Sequence, residues 1–126
     1  MAGDPGYVDP YYNLAKLYQD VERPKEAIEL YQRALSLNPG YKDAYFNLGR
    51  LYQQLGDDQK AVEAYNQMIQ TDPRNADLYV NTIKAYTQAL KDHPTHSLYR
   101  EARREALDRF RALSDVDRRH KDSEVF

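Results

Sequence analysis

Three chemical types of polar side chain recur in this 126-residue chain at one constant interval. In each recurrence an acid, an amide and a base follow one another at i, i+4 and i+7. This spacing places the three side chains on one face of an α-helix. The acids are Asp9, Asp43 and Asp77, the amides are Asn13, Asn47 and Asn81, and the bases are Lys16, Arg50 and Lys84.

The amides have the most specific binding chemistry of the three types. An asparagine side chain offers both a donor and an acceptor, so it can pair with a peptide unit whatever side chain that peptide carries. Asparagine has below-average helix propensity, so its recurrence inside predicted helices favours a role in binding. The alternative is that asparagine is merely tolerated on a solvated helix face and is inherited with the repeat.

Catalytic and metal-binding chemistry finds no support in the sequence. The chain has no cysteine, which excludes disulfides, thiolate ligands and thiol nucleophiles. His93 and His96 flank Pro94 without a third histidine nearby, so two exposed imidazoles in a turn are the favoured interpretation. There is also no glycine-rich phosphate loop and no serine in a nucleophile-elbow context. We therefore predict a protein that is not an enzyme and has no metal or cofactor.

A second set of recurrences marks the helices that must position the polar side chains. Apolar, small and proline residues repeat in the same register: Tyr11, Leu14, Tyr18, Ala27, Tyr31 and Pro39 return as Tyr45, Leu48, Tyr52, Ala61, Tyr65 and Pro73. Helix periodicity predicts pairs of amphipathic helices, at 10–20 and 24–37 and then at 43–55 and 58–71. Pro24 suits the first turn of its helix, and Gly56 suits a left-handed residue past a helix end.

This pattern of aromatic, leucine, small and proline positions, with a period of about 34 residues, resembles the tetratricopeptide repeat (TPR) family. The resemblance implies an all-α fold of antiparallel helix pairs, stacked as a short right-handed solenoid with an atypical C-terminal capping helix. It also implies that the first helices line a concave surface, on which the acids, amides and bases form parallel rows. Family members hold extended peptides with asparagines at this repeat position, which implies the same use for Asn13, Asn47 and Asn81.

On this resemblance, the chain is expected to be a non-catalytic adaptor that binds a protein or peptide in its concave groove. The acidic and basic rows can instead form solvated salt bridges with each other, which contribute little stability, or they can orient a charged ligand. Position 12 recurs as an aromatic residue at 46 and supplies candidate apolar contacts. The predicted groove residues are Tyr12, Asn13, Lys16, Phe46, Asn47, Arg50, Asn81 and Lys84.

The third unit departs from the period. Ala106, Leu107, Phe110 and Leu113 match the spacing of Ala61, Val62, Tyr65 and Met68, but they lie eleven residues later than the period requires. This predicts a longer second helix from about 97 to 113. The expected organisation is a remnant of a preceding repeat or cloning scar at 1–7, a first repeat at 8–41, a second at 42–75, an atypical unit at 76–113 and a charged, disordered tail at 114–126.

Composition narrows the partners further. The net charge of −2 argues against nucleic acid, because affinity for nucleic acid comes largely from a surplus of basic residues. There is no apolar run long enough to span a membrane, and no secretion signal, so the cytoplasm is the expected compartment. A second functional hypothesis is self-association through the terminal repeats, where a solenoid face lacks a neighbouring repeat.

Overall fold

The part of the chain that the structure describes is built from helices alone. A computed structural model describes the backbone of residues 8–125 and the side chains of residues 8–113. The predicted remnant at 1–7 and the end of the predicted tail, residue 126, lie outside the described residues. The six helices within 8–125 are α1 (Val8–Asp20), α2 (Pro24–Leu37), α3 (Lys42–Leu55), α4 (Asp58–Thr71), α5 (Ala76–Asp92) and α6 (Ser97–Val125). This confirms the predicted all-α class.

The chain divides into two compact units, residues 1–71 and 72–126. In the first unit, α1 packs against α2, α3 packs against α4, and α2 also contacts α3. In the second unit, α5 packs against α6. Each helix pair is joined by a short turn, so its two helices run antiparallel, as the sequence predicted.

The turns inside the first two repeats are the same at the level of single hydrogen bonds. Gly56 follows α3 with a φ of 80°, and Glu22 occupies the equivalent position after α1 with a φ of 61°. In each turn the next residue donates its N–H to the carbonyl five residues earlier, at 2.8 Å from Arg23 and 2.9 Å from Asp57. This is the 6→1 bond of a Schellman motif. The predicted left-handed role of Gly56 is confirmed, and Glu22 adopts the same conformation despite its side chain.

Each helix pair of the first unit is held by a buried tyrosine on its second helix. Tyr31 and Tyr65 are completely buried. The Tyr31 hydroxyl donates to Gln19 Oε1 at 2.7 Å, and the Tyr65 hydroxyl donates to Gln53 Oε1. A buried phenol needs such a partner, because an unpaired buried hydroxyl is costly. The repeat therefore preserves the polar partner of its core tyrosine as well as the ring.

Gly49 allows α3 to approach the Tyr65 ring. A Cβ built on Gly49 would lie 2.7 Å from Tyr65 Cε1 and 2.9 Å from its Cδ1 and Cζ. These distances are too short for a real side chain, so only a residue without a Cβ fits without movement of the ring. The close approach of α3 to α4 therefore rests on a defined contact between Gly49 and the Tyr65 ring.

The second unit differs from the sequence prediction in two respects. Helix α6 continues to Val125 instead of ending at Leu113, because neither proline nor glycine occurs between Ser97 and Val125 to stop it. The described backbone of the predicted tail, residues 114–125, is thus part of α6. Tyr99, which the sequence analysis did not assign to the core, is buried beside Tyr86 with ring centroids 5.8 Å apart.

The Gly49–Tyr65 contact generates a stability prediction. We expect Gly49→Ala to lower the free energy of unfolding by up to ~2 kcal/mol, since overpacking costs ~1–3 kcal/mol and alanine's helix propensity offsets ~1 kcal/mol of that. Urea unfolding followed by circular dichroism measures the change. Gly40→Ala is the matched control, because the nearest atom to its added Cβ is Asn38 Oδ1 at 3.6 Å. Equal effects of the two substitutions would contradict the packing argument.

Candidate functional site

The predicted groove residues fall in both units of the chain. Tyr12, Asn13 and Lys16 lie on α1, Phe46, Asn47 and Arg50 lie on α3, and Asn81 and Lys84 lie on α5. The first six belong to the unit of residues 1–71, where α1 and α3 meet directly through Tyr12 and Asn47. We call the surface formed by these six residues the α1–α3 surface.

The bases of the α1–α3 surface lie over aromatic rings. Lys16 Nζ is 5.6 Å from the centroid of Tyr12, and Arg50 Cζ is 6.0 Å from the centroid of Phe46. In both cases the ring is four residues earlier on the same helix, and the cation is exposed. Cation–π attraction of this kind contributes about 0.5–1 kcal/mol at exposed sites. The two charges are therefore positioned while remaining accessible to a ligand.

The same two rings rest on the buried tyrosines of the core. Tyr12 and Tyr31 have centroids 5.8 Å apart at an interplanar angle of 57°, and Phe46 and Tyr65 have centroids 5.7 Å apart at 53°. Such tilted pairs are favourable arrangements of aromatic quadrupoles. Because the geometry recurs nearly unchanged from the first repeat to the second, the core of each repeat sets the orientation of its surface ring.

The amides do not form a uniform row. Asn47 is half-buried and donates from Nδ2 to the Tyr12 hydroxyl at 3.2 Å. Asn13 and Asn81 are exposed, and neither makes a side-chain hydrogen bond to another residue whose side chain is described. Phe46 stands where the first repeat has Tyr12 and has no hydroxyl to offer. Asn47 thus has a structural partner, whereas Asn13 and Asn81 keep their full hydrogen-bonding capacity.

The acids of the first unit face tyrosines. Burial raises the pKa of Tyr12, and the Asp43 carboxylate raises it further. Burial likewise raises the pKa of Tyr41, with the Asp9 carboxylate as the next cause. Among the described side chains of this unit, neither acid forms an ion pair with the bases of the same face. The salt-bridge alternative is therefore absent from this unit, and both phenols keep their protons at neutral pH.

Sequence reasoning missed three residues that support this surface. Tyr41 lies just before α3, and its ring centroid is 4.8 Å from that of Tyr12. Gln19 and Gln53 accept the hydrogen bonds of the core tyrosines. The two glutamines occupy the same position of successive repeats, so their recurrence in register was an available signal. Tyr41 gives way to Asn75 in the next repeat, so the register did not mark it as a contact of the surface.

A separate groove of about 440 Å³ lies among α2, α3 and α4. None of the predicted site residues lines it. Tyr45, Leu48 and Tyr52, which are among the recurring apolar positions of the repeat, form part of its wall together with Lys60 of α4. Its residues therefore provide controls that lie in the same unit but outside the α1–α3 surface.

Metal-binding clusters and membrane-spanning helices are both absent from the described part of the chain. Within it, no group of three or more histidine, cysteine, aspartate or glutamate side chains could hold a metal ion. No helix among the described residues combines the length and apolar character that crossing a bilayer requires.

Comparisons with known proteins agree with the repeat pattern. The sequence profile described as "Tetratricopeptide repeat" matches residues 12–76, just over half of the chain. The solved structure of MamA is 28% identical with a TM-score of 0.63, over 94% of this chain and 63% of MamA. That of YrrB, described as a TPR protein with an unusual peptide-binding site, is 26% identical with a TM-score of 0.60, over 84% of this chain and 50% of YrrB.

The chain spans less than two thirds of the length of either protein. No sequence among curated proteins matches it significantly. The profile match, the similarity to these TPR structures and the helix pairs described above lead to one conclusion. This chain belongs to the tetratricopeptide repeat family.

Proposed function

We propose that this chain is a non-catalytic interaction module that binds an extended peptide segment of a partner protein on the α1–α3 surface. TPR folds serve as protein–protein interaction modules, and the likeness to YrrB supports a peptide as the ligand. Asn81 and Lys84 hold the equivalent repeat positions on α5, and we propose the same role for them.

One observation carries this proposal: the recurrent arrangement of an exposed cation over an aromatic ring that rests on a core tyrosine. Packing alone does not require the cation, because Lys16 and Arg50 are exposed and pair with no carboxylate among the described side chains of their unit. The ring beneath each cation is fixed by its contact with Tyr31 or Tyr65. A surface ordered before the ligand arrives loses less entropy on binding.

The chemistry of the surface indicates how a peptide would be held. Asn13 is free to pair with the N–H and C=O of a peptide unit, and Asn47 keeps its Oδ1 acceptor after donating to Tyr12. Lys16 and Arg50 can each accept a carboxylate of the peptide, and the exposed parts of the rings can contact its apolar side chains. Backbone pairing would give affinity, and the charges would select acidic side chains.

The first test measures binding of a defined peptide. A peptide selected on the wild-type chain from a displayed random library is labelled, and its affinity is measured by fluorescence anisotropy. We expect Asn47→Ala to weaken binding by about 5- to 150-fold, the ~1–3 kcal/mol cost of leaving a desolvated polar group unpaired, with an unchanged helical circular dichroism spectrum. Lys60→Ala, in the separate groove, is the control and should bind normally. Unchanged affinity in the Asn13, Asn47 and Asn81 alanine variants alike would refute the proposal.

A second test separates a ligand-binding role of Asn47 from a structural one. Tyr12→Phe removes the acceptor of the Asn47 hydrogen bond and leaves the amide in place. We expect this change to lower the free energy of unfolding by ~0.5–1.5 kcal/mol, and the Tyr12→Phe/Asn47→Ala double variant to lose less than the sum of the single losses. Peptide affinity should fall with Asn47→Ala but remain near wild type with Tyr12→Phe. Equal losses of affinity in the two variants would assign Asn47 a structural role only.

Self-association is a second candidate function, and a specific exposure difference favours it. Leu14 and Leu17 of α1 are 42% and 56% exposed, whereas their repeat equivalents Leu48 and Leu51 are 6% and 1% exposed. In the second repeat these positions belong to the core cluster that includes residues of α2. The leucine face that is buried in the second repeat is thus exposed on α1. We propose that a second copy of the chain covers this face of α1, so that two copies pair through α1.

Light scattering across protein concentration tests self-association. We expect the wild-type mass to rise toward a dimer with concentration, and Leu14→Gln/Leu17→Gln to remain monomeric because it removes the apolar contact. Leu55→Gln is the control, since Leu55 is 48% exposed but lies at a position that is exposed in both repeats. A wild-type chain that stays monomeric at every concentration eliminates this candidate.

A further inference from the structure

A concave site lined by basic side chains lies between α5 and α6 of the second unit. Its volume is about 260 Å³. Helix α5 contributes one cation and a hydroxyl, and α6 contributes two arginines one turn apart. The lining residues are Thr87, Leu90, Lys91, Pro94, Arg100 and Arg103. We call this site the α5–α6 basic pocket; it shares no residue with the α1–α3 surface.

One arginine of the pocket is held in position by a hydroxyl. Arg103 is half-buried, and its Nη1 donates to Thr87 Oγ1 at 3.4 Å. Arg100 and Lys91 are exposed at the pocket wall. A guanidinium has five N–H donors, so Arg103 keeps several of them for a ligand after this single bond. The pocket therefore combines one hydrogen-bonded guanidinium with two exposed cations.

The positive charge of the pocket is not neutralised from within the described part of the chain. No carboxylate lines the pocket, and none of the described side chains forms an ion pair with Lys91, Arg100 or Arg103. The acids of α6 lie elsewhere on the helix: Glu101 and Glu105 point about 100° and 140° around the axis from Arg100. Three unpaired cations in one concavity are unfavourable to each other until an anion binds.

The ligand that fits this charge is a phosphoryl group. It carries a charge of about −1.5 to −2 at neutral pH and has three acceptor oxygens, which can use both guanidinium groups and the ammonium at once. A carboxylate offers one charge and two oxygens and would leave part of the pocket's charge unbalanced. Arginine also matches the geometry of phosphate oxygens with paired N–H donors.

The surroundings of the pocket favour a phosphorylated protein segment over other carriers of phosphate. Within the described side chains of α6, Tyr99, Ala102 and Ala106 are buried against the rest of the unit, so this apolar side is not available to a bilayer. The net charge of −2 argues against nucleic acid, because affinity for nucleic acid comes largely from a surplus of basic residues. We infer that the α5–α6 basic pocket binds the phosphoryl group of a phosphorylated segment of a partner protein.

Isothermal titration calorimetry on the full chain tests this inference. The probe is a phosphoserine flanked by glycines, and its unphosphorylated form is titrated in parallel. We expect saturable binding of the phosphorylated probe alone, weakened about tenfold or more in Arg100→Gln/Arg103→Gln because charge-assisted hydrogen bonds are lost. Arg104→Gln/Arg111→Gln is the matched control, since it removes the same charge from the same helix outside the pocket and should bind like wild type.

Each other outcome counts against the inference. Absence of binding by the phosphorylated probe, or equal weakening in both double variants, would show that the pocket does not select phosphate. Binding of inorganic phosphate without binding of the probe would indicate a site for the free ion. Preferential binding to vesicles containing phosphatidylserine, weakened by Arg104→Gln/Arg111→Gln as well, would indicate a membrane surface. The peptide site on α1–α3 is tested with a different probe and different variants, so either proposal can fail alone.

Discussion

The arrangement of the second repeat depends on how closely its first helix, α3, approaches the buried tyrosine of its second helix, α4. At Gly49 the backbone comes so near the Tyr65 ring that no Cβ fits between them. The ring position in turn supports Phe46, and Phe46 supports Arg50. A side chain on the surface is thereby oriented by a contact at the core. In this repeat, the residues proposed to bind a ligand and the residues of the core are successive layers of one packing arrangement.

The hydroxyl of that tyrosine adds a polar constraint to an apolar core. A buried tyrosine removes about 150–250 Å² from water, which at ~25 cal/mol per Å² favours folding by roughly 4–6 kcal/mol as an upper estimate. Part of this gain would be lost if the hydroxyl had no partner. Gln19 and Gln53 prevent that loss, each twelve residues before its tyrosine. Because one geometric solution serves both repeats, the repeat register extends to hydrogen bonds as well as to apolar positions.

Periodicity predicts those features that depend on one helix or one turn. The ends of α1 to α4 agree with the sequence prediction to within two residues, and Gly56 adopts the expected left-handed conformation. Contacts between helices are less predictable, because they depend on differences between equivalent positions. Asn47 can donate to Tyr12 because the Tyr12 side chain carries a hydroxyl. Phe46, the equivalent residue of the second repeat, carries none. Tyr99 lies 34 residues after Tyr65 and therefore keeps the register of the core tyrosines. The spacing that begins at Ala106 instead predicts a later second helix for the third unit, and this prediction leaves Tyr99 outside the core.

The two proposed binding surfaces differ in the interaction that would give them affinity. On α1–α3, the pairing of the Asn13 and Asn47 amides with a peptide backbone is short-range. In the α5–α6 basic pocket, attraction depends on exposed cations, and salt screens such charges over a Debye length of about 8 Å at physiological ionic strength. Raising the salt concentration should therefore weaken phosphoryl binding much more than backbone recognition. Since the two surfaces share no residue, this difference in salt dependence distinguishes them even when a single partner offers both a peptide segment and a phosphorylated side chain.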